Sequence, residues 1–153
     1  MLPAQPNRSL MDGIRCLQIL STNPGPIGAR ELARRLDMET TRAHRLLKTL
    51  AHMGMARQNR HAKYMPGPAM HVLAAQSLYA SGLIGNSTKP LRELHRKVGL
   101  ITAFGMLWER NCYYLYHLMP GMSAEEAVGR MRLQPATQSG IGMMILSTLA
   151  MIA

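Results

Sequence analysis

Apolar residues recur at three- and four-residue spacing through the front of the chain, and that period is helical. Between Ser9 and Leu20 it sets Leu10, Ile14, Leu17 and Leu20 on one stripe. Ser9 is the expected N-cap and Asn23-Pro24-Gly25-Pro26 the stop. Between Ala29 and Leu36 the stripe is Leu32, Ala33 and Leu36, followed by a turn at Asp37 and Met38. A third helix starts at Glu39 or Thr40, with Ala43, Leu46, Leu47, Leu50 and Met53 expected inside. At about a hundred degrees per residue, its opposite face carries Thr41, His44, Arg45, Lys48 and His52. Gly54 is a helix-stop residue. The stretch from Met55 to Met65 then reads as strand, polar turn, strand, with Arg57, Arg60, His61 and Lys63 at the tip of a hairpin. Ile27-Gly28 is expected to add a short third strand to it. Three helices and a hairpin make a winged helix-turn-helix over residues 9–68, preceded by a flexible arm over residues 1–8.

Pro66-Gly67-Pro68 is the strongest punctuation in the chain. Beyond it a linker is expected over residues 69–86, built on a helix from Ala69 to Ser81. Its stripe of Met70, Leu73, Ala74 and Leu78 needs cover from a partner subunit or the next domain. A helix from Ser87 to Val98 follows, with Pro90 in its first turn and Leu91, Leu94 and Val98 inward. Leu100 to Leu107 and Cys112 to Leu118 are strand-like runs around Glu109-Arg110-Asn111, with Tyr114 and Tyr116 on one face. Ser123 and Glu126 have capping-box spacing. Ser139 to Ala153 is an apolar helix with Gly140 and Gly142 near its start. Residues 87–153 thus supply one hairpin between helices, an incomplete α+β layer, since a two-stranded sheet does not stand alone. The expectation is a chain that stops inside a domain or completes its core with another chain.

Charge sharpens the picture. Residues 1–66 hold eleven Lys and Arg against four Asp and Glu, whereas residues 67–153 hold seven against four. The basic excess therefore sits with the helix-turn-helix, where a polyanion would dock. A helix with an apolar stripe behind and Thr, His, Arg and Lys in front can lie in the major groove, Arg and Lys meeting guanine edges and phosphates. The competing readings are a solvated basic face and an anionic membrane surface. The second fits less well, because no helix joins a basic face to a broad Trp/Phe/Leu face. The expected partner is double-stranded DNA, with no membrane.

An enzyme is not expected. The chain has no Ser/His/Asp arrangement, no phosphate-binding glycine loop and no metal-ligand spacing among its six histidines, so neither cofactor nor metal is expected. Cys16 and Cys112 lie far apart, which fits reduced thiols and a cytoplasmic location. The N-terminus lacks the apolar core of a signal peptide.

The chain resembles the IclR family of bacterial transcriptional regulators. The landmarks are SLMDGIRCLQIL (Ser9 to Leu20), ARELARRLDM (Ala29 to Met38), TTRAHRLLKTLAHMGMARQ (Thr40 to Gln58) and YMPGP (Tyr64 to Pro68), with weaker echoes in LRELHRKVG (Leu91 to Gly99) and QPATQSGIGMMIL (Gln134 to Leu146). The resemblance implies an α+β protein: a winged helix-turn-helix, a linker helix, then the front part of a PAS/GAF-like α/β effector domain. It implies a homodimer or tetramer on a roughly palindromic operator, controlled by a small organic acid or aromatic effector. By position, Thr40, Thr41, Arg42, His44 and Arg45 match the reading helix, and Arg57 and Lys63 the wing; Lys48 and Arg60 complete the candidate DNA-binding set. Near the end, Pro135 and Gly142 match the family pattern, but Thr137 and Met143 stand where it carries a His and a Lys, so the resemblance does not carry polar effector contacts over to this segment. The alternative is a truncated DNA-binding and dimerisation module without effector response.

Overall fold

The computed structural model describes residues 4–123, 126–127 and 133–152. The chain forms two compact units that divide between Ser77 and Leu78.

The first unit contains α1 (Arg8–Thr22), α2 (Ala29–Arg35), α3 (Thr40–His52), β1 (Ala56–Gln58), β2 (Tyr64–Pro66) and the start of α4 (Pro68–Ser81). Helix α1 begins earlier than expected because Asn7, not Ser9, caps it: the Leu10 N–H donates to Asn7 Oδ1 at 3.0 Å. Arg8, expected in the arm, is therefore helical. The buried edge of α1 runs through Cys16 and Leu20. Leu10 and Ile14, expected on that edge, are 62% and 44% exposed. At about a hundred degrees per residue each lies more than a quarter-turn from Cys16. Leu32 and Ala33 of α2, Ala43 and Leu47 of α3, Ile27, Ala56 and Tyr64 close the core around them.

Met53 lies outside that core, at 61% exposure. It is the C-cap of α3, where the chain leaves the helix. Gly54 follows with φ +71°. Its N–H bonds the Ala51 carbonyl at 3.0 Å and the Met55 N–H bonds the Leu50 carbonyl at 2.9 Å, the paired bonds of a Schellman stop. Strands β1 and β2 pair antiparallel, Arg57 opposite Met65. Ile27 and Tyr64 exchange two backbone bonds of 2.8 Å, the short third strand expected at Ile27. Along α4, Val72, Leu73, Leu78 and Tyr79 are all exposed.

The second unit contains α5 (Leu83–Val98), β3 (Thr102–Trp108), β4 (Asn111–Leu118), β5 (Leu133–Pro135), a 3-10 turn (Ala136–Gln138) and α6 (Gly140–Ile152). Helix α5 opens directly after Gly82, whose φ of +62° breaks it from α4. Pro90 consequently lies inside α5, not in a first turn at Ser87. Of its expected inward residues only Leu91 packs on the core; Leu94 and Val98 are 48% and 46% exposed.

Among the described residues the sheet has three antiparallel strands in the order β3-β4-β5, one more than the hairpin expected. Between Phe104 and Gly105 the register skips Leu115, a bulge on β4. That extra residue separates Tyr114 from Tyr116, which strict alternation puts on one face. Tyr116 joins Leu118, Ala127, Leu91 and Phe104. The Tyr114 hydroxyl instead meets Ser139 Oγ at 2.8 Å, and that same oxygen accepts the Gly142 N–H as the cap of α6. Ser123 and Glu126 form the reciprocal bonds of a capping box, Ser123 N–H to Glu126 Oε2 at 2.9 Å and Glu126 N–H to Ser123 Oγ at 3.3 Å. They close a turn at Glu126 and Ala127. Residues 124–125 and 128–132 lie outside the described residues. Met143, Met144 and Leu149 of α6 are exposed. No helix among the described residues is long and apolar enough to cross a membrane.

Both cysteines are free and buried. Burial, with the Asp12 carboxylate adding to it, pushes the Cys16 thiol up from 9.0 to about 11. A raised native pKa means stability that is complete below about pH 9 and lost as pH climbs through about 11. In a Cys112→Ser background, Cys16 is expected to resist a thiol reagent at pH 8 until the chain is denatured, because the thiolate attacks and burial suppresses it. Labelling of the native protein at the rate of a free thiol would contradict the burial.

Candidate nucleic-acid interface

Helix α2, the turn and α3 are held as one piece. Asp37 takes φ +50°, and the Met38 N–H reaches back to the Ala33 carbonyl at 3.0 Å. Ala43 and Leu47 press α3 into the core. Thr40, Thr41, His44, Arg45 and Lys48 are therefore left exposed on its outer side. No ion pair engages Arg45 or Lys48 among the described residues.

Arg42 differs from its neighbours. Its Nη2 lies 2.7 Å from Oδ2 of Asp12 on α1, so this guanidinium already has a carboxylate. The Asp12 side chain is only 16% exposed and also faces Arg15 at 3.7 Å. Between α1 and α3 runs an open groove of about 780 Å³, lined by Asn7, Leu10, Thr41, Arg42, Arg45 and Thr49 among others. Thus Thr41, Arg42 and Arg45 share one groove wall, whereas the lining includes no hairpin residue.

The hairpin presents Arg57, Arg60, His61 and Lys63, all exposed. Asn59, which the sequence pattern does not single out, ties the tip. Its Oδ1 accepts the N–H groups of His61 and Lys63, each at 3.0 Å. Its own N–H bonds the Lys63 carbonyl at 2.8 Å. Arg60 Nε donates to His61 Nε2 at 3.2 Å, so these two side chains stand together.

Not every cation of the first unit is available to a ligand. On α2, Glu31 receives two bonds from Arg34, at 2.9 and 2.8 Å, and one from Arg35 at 2.8 Å. The Arg34 bonds, then those of Arg35, hold the Glu31 carboxyl down at about 2. Such a clasp ties Arg34 and Arg35 to one carboxylate, whereas Arg45 and Lys48 of α3 and the cations of the hairpin have no ion pair among the described residues. Within the described residues, no cluster of His, Cys, Asp and Glu could hold a metal ion.

Residues 9–60 match the family model of the IclR helix-turn-helix domain. No curated protein matches the chain. Among solved structures, an IclR transcriptional regulator from Silicibacter sp. TM1040 superposes with a TM-score of 0.71 at 22% identity, covering 88% of this chain and 54% of its own. The IclR family transcriptional regulator from Brucella abortus gives 0.74 at 18% identity, with 90% and 52% covered. An IclR homolog from Microbacterium hydrocarbonoxydans, solved in complex with 4-hydroxybenzoate, gives 0.65 at 19%, with 90% and 57% covered. At these identities the likeness carries the fold. The chain spans about half the length of these structures.

Proposed function

We propose that this chain, which carries an IclR helix-turn-helix domain at residues 9–60, binds duplex DNA as a cytoplasmic transcriptional regulator and catalyses no reaction. One observation carries the reading: Thr41, His44, Arg45 and Lys48 all stand exposed on a helix whose other side is the core of its unit. Arg45 and Thr41 would read base edges in the major groove. Thr40 and Lys48 would meet phosphates, and Arg57, Arg60 and Lys63 would hold the flanking backbone. Phosphate contacts of this kind supply most of the affinity and make it fall steeply with salt.

Two such helices are needed for a long operator. The exposed Val72, Leu73, Leu78 and Tyr79 of α4 supply an apolar surface that a second copy would cover. Two-fold pairing then implies inverted half-sites one turn of DNA apart, or a multiple. The family resemblance and the 4-hydroxybenzoate complex of the Microbacterium protein support a small organic acid or aromatic compound as effector, one that would shift the equilibrium between two placements of the reading helices.

Selection of bound duplexes from a random pool tests the core of this reading. The expected result is an enriched inverted repeat whose binding weakens between 50 and 200 mM salt by about a thousandfold or more. No enrichment over input would overturn it. Calorimetry with 4-hydroxybenzoate and short organic acids tests the effector. Heat with a fixed stoichiometry is expected, and its absence across the series leaves a DNA-binding module without effector response.

A further inference from the structure

The groove between α1 and α3 holds an arginine that is already engaged. Arg42 and Arg45 are three residues apart on α3 and line the same wall. Arg45 faces the groove without a carboxylate, whereas Arg42 is bound by Asp12 of α1 at 2.7 Å. Arg42 stands in the first turn of α3, where the helix dipole disfavours a cation. A shielded carboxylate at that position offsets the dipole and fixes the rotamer of the guanidinium. Asp12 is well placed to do so: at 16% exposure it is screened from solvent, and the early turns of α1 put it opposite the start of α3.

We infer that Asp12 sets the sequence-independent part of the DNA affinity: it withholds Arg42 from the phosphate backbone and so holds down binding to duplex of any sequence. This rests on the proposed docking of α3. Indiscriminate affinity grows with each phosphate a protein neutralises, and it raises no discrimination between sequences. An arginine beside the reading face that is satisfied within the protein adds no such contact. One released from Asp12 is free to make it, because the Arg42 side chain is 44% exposed.

The test is a double-mutant cycle on the full chain, read by fluorescence anisotropy with a labelled duplex of mixed sequence over a salt series. Asp12→Asn keeps the side-chain shape and removes the charge. It is expected to tighten mixed-sequence binding about tenfold at low salt and to steepen the log–log salt dependence by about 0.9 per subunit, the signature of one new phosphate contact. In an Arg42→Ala background the gain is expected to vanish. Arg42→Ala alone is expected to lose less affinity than Lys48→Ala, because it removes no phosphate contact and only unpairs Asp12, which keeps the inference testable if Asp12→Asn folds poorly. Unchanged or weaker binding by a folded Asp12→Asn overturns the inference. So does a gain that survives removal of Arg42, which would mean long-range charge alone, or a drop in affinity for Arg42→Ala as large as for Lys48→Ala. If Lys48→Ala also binds as wild type, the docking reading itself fails, and the two failures are thereby distinguished.

Discussion

Arg45→Ala is expected to weaken operator binding by about ten- to hundredfold per subunit while leaving thermal unfolding almost unchanged. The asymmetry follows from where the side chain sits. Arg45 is exposed on α3 and makes no ion pair among the described residues, so truncating it costs the folded monomer little. A guanidinium bidentate to a guanine edge is worth about 1–3 kcal/mol of discrimination. Its removal should therefore relax sequence preference at one base pair of each half-site. Lys48→Ala should behave differently, since an ammonium on the same face meets phosphate as a point charge. It should weaken binding to all sequences alike and reduce the salt slope by about one for each phosphate no longer neutralised. The measurement is anisotropy on the selected operator and on point-changed operators, at two salt concentrations. Equal affinity of both variants and wild type for the operator would show that this face does not read DNA.

The helix-turn-helix is legible in the sequence because its signals are local and redundant. The α3 stripe of Ala43, Leu46, Leu47 and Leu50 has a helical period, Gly54 stops it, and a polar turn separates two short strands. Each is set by neighbours within a few residues, so propensity and packing agree. The basic face is legible for the same reason. What escapes is long-range. Nothing near Arg42 in sequence announces that Asp12, thirty positions earlier, holds its guanidinium. Nothing in the run of exposed polar residues at the hairpin tip marks Asn59 as the residue that closes it. Spacing puts Leu10 and Ile14 in a core they do not join, because it fixes which residues share a stripe but not how far the helix is rotated, and the buried edge is centred to one side, on Cys16 and Leu20. In the second unit the bulge at Leu115 defeats strict alternation, and β5 is three residues long, ending in a proline, too short for a period of two to register. Pro90 reads as a helix start because that is where proline costs least. The left-handed Gly82 opens the helix earlier, and Pro90 falls in its interior.

A methyl group at Gly67 is expected to destabilise the first unit more than any surface change considered above. The added Cβ would lie 2.2 Å from the Gly54 carbonyl oxygen and 2.9 Å from both the carbonyl carbon and oxygen of Ala56. All three atoms are backbone, so no rotamer change relieves the overlap. The Gly54 carbonyl is moreover fixed, because it accepts the Ala69 N–H at 3.1 Å, while the Gly67 N–H bonds the Met55 carbonyl at 2.9 Å. Gly67 therefore lets the end of β2 pass directly over the stop of α3, the crossing that seats the hairpin beside the reading helix. Overpacking against backbone at this distance is expected to cost about 3 kcal/mol or more. For a domain of this size that is a fall in melting temperature on the order of 10–20 °C. Gly13→Ala serves as the opposite case. Gly13 lies inside α1, a Cβ there meets nothing within 4 Å, and alanine should stabilise the helix by about 0.5–1 kcal/mol. Denaturant and thermal unfolding of both variants decide the matter. If Gly67→Ala melts within a few degrees of wild type, the hairpin does not cross α3 as closely as described, and the placement of Arg57, Arg60 and Lys63 beside the reading helix loses its structural basis.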